Sequence, residues 1–82
     1  MYRVVWRKNA REQLADCWLA AADRDAVTRA SHAPEQRLTH DPRDAGEDRP
    51  GGSRVAFESP LDARYEIVED DRKVIIGAVW LY

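Results

Sequence analysis

The sequence predicts a single α+β domain with elements in the order β-α-α-β-β-β. Three observations carry this. Apolar residues alternate with period two at residues 2–7 and again at 55–67. A helical apolar stripe lies between these regions, at residues 10–21. A nearly continuous apolar run from Lys73 to Trp80 closes the chain, as expected for a central strand covered on both faces.

The elements follow in order. Tyr2, Val4 and Trp6 alternate with Arg3, Val5 and Arg7, and this favours a first strand. Asn9 stands at an N-cap position with Glu12 three residues later, the spacing of a capping box. Ala10, Leu14, Cys17, Trp18 and Ala21 then mark the buried stripe of the first helix. Asp23 is the expected N-cap of the second helix, whose buried side should carry Val27, Ala30, Ser31, Pro34 and Leu38. A proline inside a helix costs roughly 3 kcal/mol, so a kink or a restart is expected near position 34. Residues 39–54 contain no large apolar side chain, and 43–53 are expected to be poorly ordered or held by few contacts. Val55 and Phe57, then Ala63, Tyr65 and Ile67, alternate with polar residues in two further strands. Ser59-Pro60 separates them, and Glu69-Asp70-Asp71-Arg72 makes the last turn. About four strands are expected. Tyr2, Val4, Trp6, Leu14, Trp18, Val55, Phe57, Tyr65, Ile67 and Ile76 should belong to the core.

Composition narrows the function. The chain has 82 residues, enough for one domain spanning 1–82 with a polar loop at about 41–53. Twelve alanines leave 24 larger apolar side chains, a small core for which a partner would be a source of stability. The longest apolar run, Val74 to Leu81, is far short of the roughly 20 residues that span a bilayer, and the early charges argue against a signal peptide. A cytoplasmic protein is expected, since the single Cys17 cannot form an internal disulfide. Cys17, His32 and His40 lack metal-ligand spacing, and no glycine-rich phosphate loop is present, so no metal or cofactor is expected. Residues 1–40 carry seven Lys/Arg and five Asp/Glu, whereas residues 41–82 carry six and ten. With a pI near 5.6, any nucleic-acid contact would have to be local.

Taken as an ordered set, these features resemble the RelE/ParE superfamily of toxins from bacterial type II toxin–antitoxin (plasmid stabilisation) modules. The first strand, Tyr2-Arg3-Val4-Val5-Trp6, runs into Asn9-Ala10 and a helix with Leu14 and Trp18. A second helix closes near Asp41-Pro42, and the Gly51-Gly52 loop follows. The strands Arg54-Val55-Ala56-Phe57, Arg64-Tyr65-Glu66-Ile67 and Lys73 to Trp80 complete the match, which covers essentially the whole chain. The resemblance implies a mainly antiparallel, twisted sheet with two helices on one face. It also implies a cognate antitoxin, growth inhibition as the biological effect, and one of two targets. RelE-like members cut messenger RNA on the ribosome, and ParE-like members inhibit DNA gyrase.

For the nuclease, the resemblance points to Arg54, Arg64 and Tyr82 as catalytic candidates. Such chemistry needs a proton acceptor for the 2′-hydroxyl and fixed positive charge on the phosphate. Asp62 falls where a basic residue is expected, Arg64 could partly replace it, and the basic set expected after the last strand is missing from the sequence. Surface ion pairs with Glu58 and Glu66 explain Arg54 and Arg64 more plainly. Arg3, Arg7, Lys8 and Arg11 form a basic cluster suited to phosphates or an acidic antitoxin segment, or to protecting an edge strand. The acidic pI, Asp62 and the missing set favour a toxin, or toxin remnant, that binds a target such as gyrase over the nuclease.

Overall fold

The structure, a computed structural model, describes residues 1–81, apart from the side chain at position 34. Its elements are β1 (Arg3–Trp6), α1 (Lys8–Ala20), α2 (Arg24–His40), β2 (Glu47–Asp48), β3 (Arg54–Glu58), β4 (Leu61–Val68) and β5 (Lys73–Leu81). The five strands form one sheet in the order β1-β5-β4-β3-β2. Only β1 and β5 pair in parallel, with Val4 opposite Val74 and Trp6 opposite Ile76. The fifth strand, absent from the expectation, is the two-residue β2 inside the polar loop.

One sheet face carries the core and the helices. Ala10, Leu38, Ala45, Ala56, Ala63, Tyr65, Val74, Ile76 and Val79 form its centre, and Tyr2, Val4, Trp6, Leu14 and Ile67 pack against it. Cys17, Val27, Ala30 and Leu61 make a second cluster under the helices. Seven of the ten expected core residues are buried or packed here, and Val55 is buried on the opposite face.

Trp18 and Phe57 are corrections to the expected core, at 40% and 45% exposure on opposite sides of the molecule. For Phe57 the cause is register. Ala56 pairs with Ala63 and Phe57 with Asp62, so Ala56 faces the helices while Val55 and Phe57 face away. The alternation is real, but the inward positions of β3 are a small residue between two tethered charges. Arg54 bonds to the loop above, and Glu58 pairs with Arg37 of α2 at 3.0 Å.

Three local expectations also change. Asn9 is not an N-cap: α1 begins at Lys8 after Arg7, with no side-chain cap. Its amide instead donates to Gly77 O at 3.0 Å. Asp23 does cap α2, accepting from Ala26 N at 3.1 Å. The helix then runs without a break through position 34 to His40. Val27, Ala30 and Leu38, almost fully buried on either side of the proline, provide the packing that outweighs its local cost. The expectation for the Pro34 side chain lies outside the described residues.

The last strand is interior to the sheet, as expected, but the helices cover only one of its faces. Between Tyr65–Ile76 and Arg64–Ala78 the β4–β5 register shifts by one residue, at Gly77. This bulge lets Val74 and Ile76 before it, and Val79 and Leu81 after it, all point toward the helices. On the other face Ile75 is half-buried and Trp80 is 38% exposed.

Candidate functional site

The first surface is the open face of the sheet. Period two places Arg3 and Val5 of β1 there, with Arg7 just past its end, beside Ile75 and Trp80 of β5, Asp62, Arg64 and Glu66 of β4, and Phe57 of β3. A polar cavity of about 250 Å³ opens on it, lined by Arg7, Asn9, Arg64, Glu66 and the Gly77 backbone. It exists because β1 ends at Trp6 while β5 continues. Asn9 and Gln13, one turn apart on α1, take over the vacated edge of β5. Asn9 donates to Gly77 O, and Gln13 Oε1 accepts from Val79 N at 3.0 Å. Beside Gly77 a side chain would meet the Arg7 stem at 3.9 Å, so Arg7 lies over the bulge.

The second surface is the seam between the helices. A groove of about 320 Å³ is lined by Arg11, Leu14, Trp18, Val27 and Ser31, and it continues past Leu14 toward Trp6 and Glu35. Trp6 Nε1 donates to Glu35 at 2.6 Å, and Arg24 stacks over Trp18 at 4.6 Å from the ring centre. Trp18 therefore belongs to an exposed apolar groove rather than to the core.

Arg54 and Arg64 are separated by the sheet. Arg54 lies on the helix side, where its guanidinium donates to the Gly46 carbonyl at 2.9 Å, to the Arg43 carbonyl and to Asp48. Tyr65 and Asp48 further favour its charged form. Arg64 is exposed on the open face, and among the described residues it has no ion-pair partner. The expected pairings with Glu58 and Glu66 are thus replaced by Arg54–Asp48 for the first and by none for the second. Tyr82 lies outside the described residues. Within the basic cluster, Arg3 and Arg7 face the open side, Lys8 starts α1, and Arg11 lines the helix groove, so the four do not form one patch.

The first part of the polar loop, through Asp48, is anchored, a correction to the expectation for 43–53, whereas Gly51 and Gly52 are exposed with open space around them, in line with that expectation. Besides Arg54, Arg37 donates to the Ala45 carbonyl at 2.9 Å, and the Tyr65 hydroxyl donates to the Pro42 carbonyl at 2.6 Å. Burial pushes the Tyr65 hydroxyl above its ordinary range. At Gly46 an added Cβ would meet Val55 O at 2.6 Å and the Tyr65 hydroxyl at 2.8 Å, so the loop's close approach requires glycine. The anchors were hidden in sequence because they are main-chain carbonyls, which carry no residue signature.

Cys17 is buried, and burial pushes its thiol up, the reverse of what a nucleophile needs. Among the described residues no three His, Cys, Asp or Glu side chains stand together as metal ligands. No helix among them is long and apolar enough to cross a membrane. Sequence reasoning missed Asp62 as a structural anomaly. It is 5% exposed, and its Oδ1 has no hydrogen-bond partner.

No family model matches the sequence, and no curated protein matches it as a relative. Solved structures do match. A chain of the toxin–antitoxin complex RelBE2 from Mycobacterium tuberculosis superposes with a TM-score of 0.81 at 19% identity, over 99% of this chain and 91% of that one. The chromosomal ParDE toxin–antitoxin system of P. aeruginosa gives 0.74 at 14% identity, over 99% and 96%. The isolated E. coli RelE toxin gives 0.65 at 14% identity, over 99% and 84%. With two helices on one face of a mixed five-stranded sheet and near-complete superposition on these structures, the chain has the RelE/ParE toxin fold.

Proposed function

We propose that the protein is the toxin component, or a toxin-like remnant, of a type II toxin–antitoxin module. It acts in the cytoplasm by binding a macromolecular target such as DNA gyrase, inhibits growth, and is neutralised by a cognate antitoxin. Plasmid stabilisation would be the consequence. The fold supports the module. The observation that carries the binding mode is the separation of Arg54 from Arg64: one guanidinium is committed to loop carbonyls and Asp48, and the other lies across the sheet. Phosphoryl transfer needs positive groups converging on one phosphate. Here the open face instead places Asp62 beside Arg64, two residues along the same strand.

The antitoxin reading is supported by the helix groove, whose apolar floor of Leu14, Trp18 and Val27 with Arg11 on its rim suits an amphipathic, acidic segment. The alternative, a ribosome-dependent messenger-RNA nuclease, rests on the cavity that brings Arg7 and Arg64 together. Induced expression in a bacterial host, with and without a neighbouring antitoxin gene, tests the module. Growth arrest relieved by the neighbour supports it, and unimpaired growth supports the remnant. Supercoiling by purified gyrase and ribosome-dependent cleavage of messenger RNA then separate the targets. Inhibition of the first without the second is expected. Robust cleavage lost in Arg7→Ala and Arg64→Ala would establish the nuclease instead.

A further inference from the structure

We propose that the open sheet face carries a recognition site for an arginine or lysine side chain of a partner polypeptide, with the Asp62 carboxylate as counter-charge and Phe57 and Trp80 as walls. The register builds it. Asp62 pairs directly with Phe57 on β3 and with Trp80 on β5, so the three side chains stand in a row across three strands on one face. Phe57 and Trp80 are the exposed members, at 45% and 38%, while Asp62 between them is 5% exposed. Its Oδ1 is buried with no hydrogen-bond partner. A buried carboxylate without a partner is costly, and a cation is the group that offsets the cost. Aromatic walls favour the same occupant, because ring faces attract cations and guanidinium groups stack on them. Phe57 already does so: Arg49 lies 5.9 Å from its ring centre while bonding to Glu47 at 3.3 Å.

Two of the protein's own cations are near, Arg49 over Phe57 and Arg64 two residues along β4. Neither of them pairs with Asp62: Arg49 pairs with Glu47, and Arg64 has no ion-pair partner among the described residues. A polypeptide occupant is favoured over a free small cation because Phe57 and Trp80 lie on a sheet surface. Exposed aromatics on such a surface act as anchors in protein interfaces. The site depends on this geometry and not on the toxin reading.

The test is a titration of the full, nitrogen-15-labelled chain, followed by NMR at the Trp80 indole N–H and the Phe57 and Asp62 amides. The probe is N-acetyl-arginine methylamide, and the neutral citrulline analogue is the control. A saturable response to the arginine probe and none to citrulline is expected. Apparent affinity should fall at least about tenfold in Asp62→Asn, as for loss of a charge-assisted hydrogen bond. Should that variant fail to fold, Trp80→Leu must weaken the response instead. No saturable response in the wild type, an equal response to citrulline, or an unchanged affinity in Asp62→Asn overturns the proposal. A response that emerges only in Arg64→Met or Arg49→Met would make the protein's own arginine the occupant and would equally overturn it.

Discussion

At the residue scale, Arg54 shows how a charged side chain can read as chemistry and serve as structure. The resemblance to the RelE-like nucleases makes it a catalytic candidate. The fold turns it inward, where it satisfies two loop carbonyls and Asp48. Arg54→Ala should therefore destabilise the protein by about 2 kcal/mol, because hydrogen bonds to a charged donor are lost and the part-buried Gly46 carbonyl is left without this partner. Urea denaturation and limited proteolysis check this, with new cleavage expected within residues 41–53. A result within experimental error of wild type would mean that the loop holds without it. Cys17 and Tyr65 make a second residue-scale prediction. Burial raises both in the folded state, from ordinary values of 9.0 and 10.0. A raised folded-state value means that the native form holds its proton longer than the unfolded chain. Stability is then full below about pH 9 and declines as pH rises through the folded-state values. Unfolding followed between about pH 7 and about pH 11 should show this decline, and Cys17→Ala should reduce it.

At the element scale, the informative junction is the end of β1. A four-residue strand cannot cover a nine-residue neighbour, and α1 supplies the remainder through Asn9 and Gln13. Gln13→Ala should cost about 1–2 kcal/mol by leaving the partly buried Val79 N–H unpaired, with hydrogen exchange at Val79 accelerated. Unchanged exchange would show that another acceptor replaces the glutamine. Asn9 illustrates why this was illegible in sequence. Its type and its spacing to Glu12 fit a helix cap, and the competing acceptor, Gly77 O, is 68 residues away. The second helix is the opposite case. A proline argued locally for a break, and burial of Val27, Ala30 and Leu38 carried the helix through it.

At the scale of the whole molecule, two surfaces lie on opposite sides of one sheet, and the proposed roles fall on different ones. The helix groove suits an acidic amphipathic segment, and the open face suits a target or a cationic anchor. A partner that binds only the folded form at about 100 times its dissociation constant adds roughly 2.7 kcal/mol. A melting curve with the candidate antitoxin should shift upward accordingly. The shift should shrink in Arg11→Glu and persist in Arg3→Glu, because only Arg11 lines the groove. Equal losses in both variants would move the partner's contact to a surface shared by the two residues.

The order of elements, their approximate bounds, the Asp23 cap and most of the core were legible in the sequence. Period two, period 3.6 and turn residues are local properties, written within a few positions of one another. So was the ordered set that resembles the RelE/ParE toxins, which near-complete superposition on their structures bears out as a fold. What only the tertiary structure decided is which face each alternating strand turns inward and which charges meet. Alternation is the same read from either side, so the burial of Ala56 and the exposure of Phe57 awaited the pairing of β3 with β4. The anchoring of the polar loop depended on carbonyls brought against Arg54 and Tyr65, and the isolation of Asp62 between two rings depended on three strands in register. These are contacts between positions far apart in the chain, and their energies exist only once the sheet has closed.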